Sequence, residues 1–267
     1  MKPYLSVIIP AYNEEHRLPS TLKSVLDWLS RQNFLFEVIV VDDGSSDNTA
    51  KVVRKIAQHE PRLLVKSYPE NRGKGYAVKI GMLKARGKLR LFMDADSATP
   101  IWELKKLLPH IKDFEIVIGS RKQLDSKVKP PPRLRKFISY LSGILIKALL
   151  DLDIKDSQCG FKLFGEKPAL ILFNELEIFG WGFDFAILAA AQKRGFKIKE
   201  VGVSWQHHKY SKLRAGRAIL KTFIELLRVR KALKSNPASK KDVPTVKSLG
   251  DRRTYPERQE KQKDKKA

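Results

Sequence analysis

Two aspartates, Asp94 and Asp96, follow the apolar run LRLFM in the segment LRLFMDADSA. Residues one apart on an extended strand point the same way, so this spacing predicts two carboxylates side by side. Such a pair repels itself unless a divalent metal, a proton or a basic side chain lies between the charges. Oxygen ligands of this kind suit Mg²⁺ or Mn²⁺, which bind through one or two carboxylates plus substrate phosphates. A solvated strand end is the alternative interpretation.

Two further motifs place charged residues that could bind a ligand at predicted turns. VIVVDDGSSDNT (38–49) places two acids after an apolar strand, although Asp-Gly also forms turns and Asp47 suits a helix N-cap. NRGKGYAV (71–78) places two glycines and two cations at a predicted helix start, where backbone N–H groups favour anions. A surface turn has the same composition, so neither motif alone establishes a site.

The elements that must position these motifs alternate along the first 120 residues. Apolar runs predict strands at 5–10, 36–44, 62–68, 88–96 and 114–120, and apolar spacings of three or four predict helices at 18–31, 47–59, 75–86 and 101–112. This alternation predicts an α/β fold with a doubly wound, mostly parallel sheet. Ligands of such sheets bind at the carboxyl ends of the strands, where PAYNEE, DDGSSD and DADSA all fall. Three acidic loops at one edge favour a bound cation.

The pattern changes after residue 120. RKQLDSKVKPPPRLRK (121–136) is basic, contains three consecutive prolines and predicts a loop. An amphipathic helix at 134–150, an extended QCGFKLF, helices near 167–173 and 182–194, a strand at 196–205 and an amphipathic C-terminal helix at 213–233 follow. Residues 234–267 contain 11 Lys and Arg against 5 Asp and Glu, which predicts a disordered basic tail. We therefore expect one domain over 1–233 and a tail over 234–267.

Composition limits the function classes. The net charge of +24 predicts attraction to polyanions, namely nucleic acid, anionic lipid or phosphorylated substrates. A single cysteine, Cys159, excludes an internal disulfide framework and fits a reducing compartment. The N-terminus shows no signal-peptide pattern, and the 14-residue apolar stretch 137–150 is shorter than the roughly 20 residues needed to span a bilayer. We expect a cytoplasmic protein.

Taken together, the motifs resemble one enzyme family. SVIIPAYNEEHRL, VIVVDDGSSDNT, NRGKGYAVKIGM, LFMDADSAT and VIGSRK occur in the order and at roughly the spacing of the inverting nucleotide-sugar glycosyltransferases of family 2, over residues 4–121. DSQCGFKLF, GWGFDFAIL and VSWQHHKYSKLR resemble the branch that makes polyprenyl-phosphate sugars, most closely the dolichyl-phosphate glucosyltransferases. The resemblance implies a GT-A type fold and a sugar, glucose from UDP-glucose, moved onto a membrane polyprenyl or dolichyl phosphate.

The resemblance also assigns roles to residues. Asp94 and Asp96 match the motif that holds the metal and the diphosphate, and Asp96 is the strongest metal candidate. Ala98 stands where some mannose-using relatives have Gln, which leaves two protein ligands. The positions matching the nucleotide-sugar site are Pro10, Tyr12, Glu14, Val41, Asp43, Lys74, Asp94, Ala95 and Lys212, and Lys209 is a further candidate for the leaving diphosphate.

The acceptor implied by the resemblance explains a missing base. An alcohol needs a carboxylate to remove its proton, whereas a phosphate monoester has a second pKa near 6 and is already mostly dianionic at neutral pH. Arginines suit such a nucleophile. Arg121 and Arg135 match the acceptor-phosphate arginines, with Arg133 as a further candidate. Asp184 matches the position of the base in hydroxyl-using relatives and is expected to orient sugar hydroxyls or the Lys74 region.

Membrane contact is the expected use of the positive charge. Nine Lys and Arg lie between residues 209 and 234, and each contributes about 1 kcal/mol near an anionic leaflet. We therefore expect peripheral binding on the cytosolic membrane face. A nucleic-acid-binding protein also fits the charge, but the sequence contains no recognised reading motif. Another donor, such as GDP-mannose or UDP-GlcNAc, and a non-lipid acceptor remain alternatives within the same fold.

Overall fold

Seven strands build the protein, in a computed structural model that describes residues 1–128, 143–206 and 224–233. The strands are β1 (Leu5–Ala11), β2 (Phe36–Asp42), β3 (Leu63–Ser67), β4 (Leu89–Met93), β5 (Ile116–Ser120), β6 (Phe161–Gly165) and β7 (Ile198–Gly202). They form one sheet in the order β3-β2-β1-β4-β6-β5-β7. All neighbours are parallel except β6, which runs antiparallel to both β4 and β5. The predicted mostly parallel α/β sheet is confirmed.

Helices flank the sheet. They are α1 (Leu18–Leu29), α2 (Thr49–Ala57), α3 (Lys74–Lys84), α4 (Leu104–Leu107), α5 (Glu166–Glu175) and α6 (Phe183–Lys193). Residues 143–150 and 224–233 are helical as well. They belong to the amphipathic helices predicted at 134–150 and 213–233. The other residues of both predictions, and the predicted tail at 234–267, lie outside the described residues.

One predicted helix is wrong. Residues 101–112 do not form a continuous α-helix, because α4 has only one turn and is flanked by the 3₁₀ turns Ile101–Glu103 and Leu108–His110. Pro109 has no N–H to donate to the fourth residue before it, and its ring crowds that carbonyl. The apolar residues of this segment still enter the core, since Ile101, Leu104 and Leu107 are all buried.

Each face of the sheet has its own apolar core. Alternate residues of β1 enter opposite faces: Val7 and Ile9 pack with Leu22 of α1, whereas Ile8 packs with Val78 and Met82 of α3. A sheet covered on both faces has mostly apolar strands, and every residue of β1, β2, β4 and β5 is buried. Because helices cover both faces, a ligand can reach the sheet at the loops that follow the carboxyl ends of its strands.

Two glycines without side chains allow the first residues of α3 to approach the chain at the start of α6. A Cβ on Gly75 would lie 2.7 Å from the Cβ of Phe183 and 2.8 Å from the carbonyl oxygen of Ile178. Gly73 has φ of 99° and would place a Cβ 2.5 Å from the carbonyl oxygen of Phe179. The two glycines of NRGKGY thus allow backbone contact within the protein, and the turn is held by the Gly75 N–H donating to the Phe179 carbonyl over 2.8 Å.

We expect Gly75→Ala to destabilise the fold by about 2 kcal/mol, because the added methyl group overpacks the junction of α3 and α6. Urea unfolding of the variant and the wild type measures the difference. Gly143→Ala is the control, since the nearest atom to its Cβ is the Lys122 Nζ at 3.5 Å and alanine is favoured in helices. Equal stability of Gly75→Ala and the wild type would contradict the described packing.

Candidate active site

Asp94 and Asp96 lie in a turn beyond the end of β4, and not on an extended strand as predicted. The strand ends at Met93, Ser97 has φ of 52°, and its N–H donates to the Asp94 carbonyl over 3.3 Å. Asp96 Oδ1 accepts the Ala98 N–H at 2.9 Å. These local hydrogen bonds form a turn, so the extended backbone that would align the two carboxylates on one strand face does not occur at this motif.

A lysine supplies the positive charge that the aspartate motif requires. Lys74 Nζ, at the first residue of α3, lies 2.7 Å from Asp94 Oδ1. Burial lowers the pKa of Lys74, but the nearby carboxylates of Asp94, Asp184 and Asp96 outweigh that effect, and the pKa is raised above its usual value. Lys74 is therefore a fixed cation at the centre of the site.

Aromatic rings enclose the Lys74 ammonium. Its Nζ lies 5.1 Å from the ring centroid of Phe92, 5.4 Å from that of Trp181 and 5.7 Å from that of Phe183. Rings at these distances attract a cation through their negative faces. Half of Trp181 is exposed, so the enclosure is open to solvent on that side.

Gly160 allows the Asp94 carboxylate its position. The Asp94 N–H donates to the Gly160 carbonyl over 3.1 Å, and a Cβ on Gly160 would lie 2.0 Å from Asp94 Oδ2. Any side chain at residue 160 would therefore displace the carboxylate. The segment before β6 thus shapes the aspartate turn, although it is more than 60 residues away in sequence.

Asp43 anchors the loop between β3 and α3. Its Oδ1 accepts the Tyr68 hydroxyl at 2.7 Å and the Arg72 N–H at 2.8 Å, and its Oδ2 accepts Asn71 Nδ2 and the Gly73 N–H, each at 3.0 Å. Burial and the hydrogen bond to Asp43 raise the pKa of Tyr68. Asp43 thereby holds the turn that presents Lys74, and a nucleotide contact at Asp43 would share these oxygens.

The other residues predicted at the nucleotide lie around the ends of β1 and β2. Pro10 and Val41 are register partners and both are buried, whereas Tyr12 is 47% exposed. Glu14 pairs with Arg17. The hydrogen bond to Glu14 raises the pKa of Arg17 against burial, and the charge of Asp96 raises it further. Arg17 is a cation of the site that the sequence did not identify.

Ala95 contributes its backbone rather than its side chain. The Ala95 carbonyl accepts the Thr21 hydroxyl of α1 at 2.7 Å, and the Ser97 hydroxyl donates to that same Thr21 oxygen over 3.3 Å. This contact ties the aspartate turn to α1. Thr21 was missed because a threonine inside an apolar helical pattern gives no signal of a distant partner.

Arg121 is held by a bidentate ion pair at the end of β5. Its Nε and Nη2 donate to the two carboxylate oxygens of Asp156 over 2.8 and 2.7 Å, and its guanidinium lies 5.5 Å from the Trp205 ring centroid. Glu200 holds Asp156 in turn, because its carboxylate accepts the N–H groups of Lys155 and Asp156, each at 2.9 Å. Arg121 is therefore positioned, and its side chain is 28% exposed.

Asp184 is buried in an ion pair with Lys162. The Lys162 ammonium contacts Asp184 Oδ1 and the Cys159 carbonyl, the latter at 2.6 Å, and both side chains are almost fully buried. A lone lysine inside the apolar strand CGFKLF was the available signal for this partner. Burial raises the pKa of the adjacent Cys159 thiol to about 12, so it is not a nucleophile.

The structure brings together Lys74, Asp94, Asp96 and Asp184 around the end of β4, with Arg17 at the edge. Arg121 lies at the end of β5, within the electrostatic influence of Asp94. Four further candidates, Arg133, Arg135, Lys209 and Lys212, lie outside the described residues, as do His207 and His208.

The carboxylates of this site supply only part of the ligand set that a divalent ion needs. Within residues 1–128, 143–206 and 224–233, no group of three or more His, Cys, Asp and Glu side chains is arranged to hold a metal. Asp96 and Asp94 offer hard oxygen donors at a strand end, which suits Mg²⁺ or Mn²⁺ when diphosphate oxygens and water supply the other ligands. Two acids of this edge have a basic partner in the protein, since Asp94 pairs with Lys74 and Glu14 with Arg17, whereas Asp43 is held by uncharged hydrogen-bond donors.

Comparison with known proteins identifies the class. The family model described as glycosyl transferase family 2 matches residues 6–169. The chain belongs to this family and is a glycosyltransferase.

Relatives in three eukaryotes share most of the chain. The dolichyl-phosphate beta-glucosyltransferase of Dictyostelium discoideum is 41% identical over 243 residues, covering 85% of this chain and 74% of the relative. Those of Homo sapiens and Saccharomyces cerevisiae are 37% and 33% identical, covering 78% and 86% of this chain and 69% and 75% of the relatives. The family predicted from the motifs is confirmed.

Solved structures share the fold. Glucosyl-3-phosphoglycerate synthase from Mycobacterium tuberculosis, crystallised with Mn²⁺, UDP-glucose and phosphoglyceric acid, has a TM-score of 0.65 at 21% identity and covers 86% of this chain and 80% of its own. Mannosyl-3-phosphoglycerate synthase from Rubrobacter xylanophilus has a TM-score of 0.65 at 19% identity and covers 88% and 75%. The predicted GT-A type sheet is confirmed.

We expect Asp156→Asn to lower the free energy of unfolding by about 2 kcal/mol at neutral pH, since it removes charged hydrogen bonds to Arg121. Burial raises the pKa of Asp156, but the Arg121 guanidinium outweighs it, and the pKa in the folded protein is lowered below 3.8. The pair therefore contributes its full stabilisation above pH 3.8, the ordinary pKa of an aspartate. This stabilisation is lost as the pH falls through the lower pKa that Asp156 has in the folded protein.

Urea unfolding at neutral pH and in steps below pH 4 tests this expectation. The difference between Asp156→Asn and the wild type should shrink as the pH falls. Asp113→Asn, at an exposed aspartate remote from Arg121, is the control and should show little difference at any pH. If Asp156→Asn and the wild type have the same free energy of unfolding at neutral pH, the structural role of the pair is refuted.

Proposed function

We propose that this enzyme transfers glucose from UDP-glucose to the phosphate of dolichyl phosphate or a related polyprenyl phosphate. The observation that carries the proposal is the similarity to dolichyl-phosphate beta-glucosyltransferases at 33–41% identity over 78–86% of the chain. The acceptor phosphate attacks the anomeric carbon as the bond from that carbon to UDP breaks, so an α-linked donor yields a β-linked sugar phosphate. We further propose that residues 1–233 form the catalytic domain.

The state of Asp184 supports a phosphate as the nucleophile. Asp184 stands where hydroxyl-using relatives keep their base, yet here its carboxylate is buried and paired with Lys162. A carboxylate that is 3% exposed and held by a lysine is shielded from the hydroxyl of an acceptor. A dianionic phosphate needs no proton removed, and it requires cations instead.

Lys74 and the aspartate turn would hold the donor diphosphate. The ammonium of Lys74 faces Asp94 at the carboxyl end of the sheet, where ligands of doubly wound folds bind. Asp96, with Asp94, would hold Mg²⁺ or Mn²⁺. Such an ion supplies charge stabilisation to the departing diphosphate. Lys209 and Lys212 are further proposed contacts to this group.

The base and ribose would lie at the ends of β1 and β2. Tyr12 offers an exposed ring for stacking, and the chain at Pro10, Glu14, Val41, Asp43 and Ala95 would shape the surrounding surface. The acceptor phosphate would be met by Arg121, with Arg133 and Arg135. Because Asp156 and Trp205 hold the Arg121 guanidinium, its position is set before the acceptor binds.

We propose that the protein meets its lipid at the cytosolic face of an anionic membrane. The helical residues 224–233 expose Ile224, Leu227, Arg228 and Lys231, which share one face at spacings of three and four. Apolar and basic side chains on one exposed face suit the membrane–water boundary. Among the described residues, no helix has both the length and the hydropathy to cross a bilayer.

Transfer of labelled sugar tests the proposal. The protein is incubated with Mg²⁺, polyprenyl phosphate and labelled UDP-glucose, UDP-GlcNAc or GDP-mannose, and labelled lipid is expected from UDP-glucose. Asp96→Ala should reduce transfer to background without unfolding the protein, because it removes the main proposed metal ligand. Asp27→Ala, at an exposed aspartate of α1, should transfer normally. Absence of labelled lipid with every donor would exclude the proposed function, and label only from another donor would reassign the sugar.

Sedimentation with liposomes tests the membrane proposal. Binding should increase with the fraction of anionic lipid and should fall sharply between low salt and about 0.5 M salt, where screening is strong. Leu227→Ser should weaken binding to anionic liposomes, whereas Trp102→Ser removes an apolar side chain of similar exposure elsewhere, 49% against 44%, and is the control. Binding that is independent of lipid charge would contradict the proposal.

A further inference from the structure

Lys162 is a charged side chain in the interior of the sheet. It is the second residue of β6, opposite Phe92 of β4 and Ile118 of β5, and it is 1% exposed. Burial of an ammonium is costly unless it is paired, and here Asp184 and the Cys159 carbonyl receive it. Replacing such a buried pair with apolar residues is often neutral for stability. The pair therefore calls for an explanation beyond the fold.

The Lys162 pair is adjacent to the Lys74 site. Asp184 is the second residue of α6 and Lys74 is the first of α3, and Gly75 brings these two helix beginnings into contact at Phe183. The ring of Phe92 lies 5.1 Å from Lys74 Nζ and 5.6 Å from Lys162 Nζ. Both ammonium groups therefore lie within 6 Å of the centroid of the same aromatic ring.

The location of Lys74 is unfavourable for a cation by itself. It lies at the N-terminus of α3 and beside the N-terminus of α6, and both helix dipoles present partial positive charge there. Carboxylates must offset this, and the structure provides Asp94 in contact with Lys74 and Asp184 close enough to raise its pKa. Asp94 belongs to the proposed metal and diphosphate motif, whereas Asp184 is anchored away from it by Lys162.

We propose that Lys162 and Asp184 are positioning residues, whose ion pair fixes a buried negative charge that keeps Lys74 in the site when its ammonium leaves Asp94 for the diphosphate of the donor. The inference rests on the proposed function for the identity of the donor. Asp184 then acts on the donor side through Lys74, and not as a base toward the acceptor. The charges alternate as Asp94, Lys74, Asp184 and Lys162, from the solvent-accessible edge to the sheet interior.

Binding of UDP by calorimetry, with and without Mg²⁺, tests this role independently of catalysis. In Lys162→Met/Asp184→Asn the buried charges are removed together, and we expect UDP affinity to fall at least tenfold. Lys74→Met should show a loss of similar size. The combination of all three substitutions should bind no more weakly than Lys74→Met alone, because the pair acts through Lys74.

An ion pair at the other end of α6, between the buried Arg194 and the exposed Glu175 of α5, provides the control. Arg194 follows the last residue of α6 and pairs with Glu175 at 2.5 Å, at the opposite end from Asp184. Arg194→Met/Glu175→Gln should keep UDP affinity within twofold of the wild type, whatever its effect on the unfolding temperature. If both pair variants lower the unfolding temperature but neither weakens UDP binding, the role of Lys162 is structural and the proposal is overturned.

Additive losses in the triple variant would also overturn the proposal, since they would show that the pair acts independently of Lys74. If Lys162→Met/Asp184→Asn does not fold, UDP affinity is measured for Asp184→Asn alone and judged by the same tenfold loss. In this single variant the amide oxygen at residue 184 can still accept a hydrogen bond from Lys162. Failure of sugar transfer to lipid by a wild type that binds UDP with the expected coupling would refute the proposed acceptor and leave this inference standing. Normal transfer without the coupling would refute this inference alone.

Discussion

The contact between Lys74 and Asp94 is the interaction on which the site depends. It places a cation at the start of one helix and beside the start of another, where both dipoles oppose it. Each neighbouring feature serves this arrangement: Asp43 holds the turn before Lys74, Gly160 leaves space for the Asp94 carboxylate, and Gly75 admits Phe183. The site is therefore a balance of charges maintained by close backbone packing.

Four of the acids around the site each contact a basic side chain in the protein. Glu14 has Arg17, Asp94 has Lys74, Asp156 has Arg121 and Asp184 has Lys162. The cations of the site are also those that a phosphate ligand would attract, and under our proposal a nucleotide diphosphate would replace Asp94 as the partner of Lys74.

The first half of the fold was predictable because its strands are short, β-branched and apolar on both faces. β1 and β2 have this pattern clearly, and their carboxyl-end loops contain the acidic motifs. The break at Pro109 was also visible in the sequence, but apolar spacing outweighed it in the prediction of the helix at 101–112. The antiparallel direction of β6 was not predictable, since it is decided by the path of the long connection after Ser120, and no local pattern encodes that path.

By itself the sequence determined the element types, the family and the residues that could do chemistry at the strand ends, because these follow from periodicity and from motifs of adjacent residues. Only the tertiary structure decided which charges meet. Lys162 and Asp184 are 22 residues apart in sequence, and Gly160 meets Asp94 across more than 60. Partners of a carboxylate are chosen by packing across the sheet, where distance and burial set the strength of each ion pair, and neither quantity is present in the order of residues.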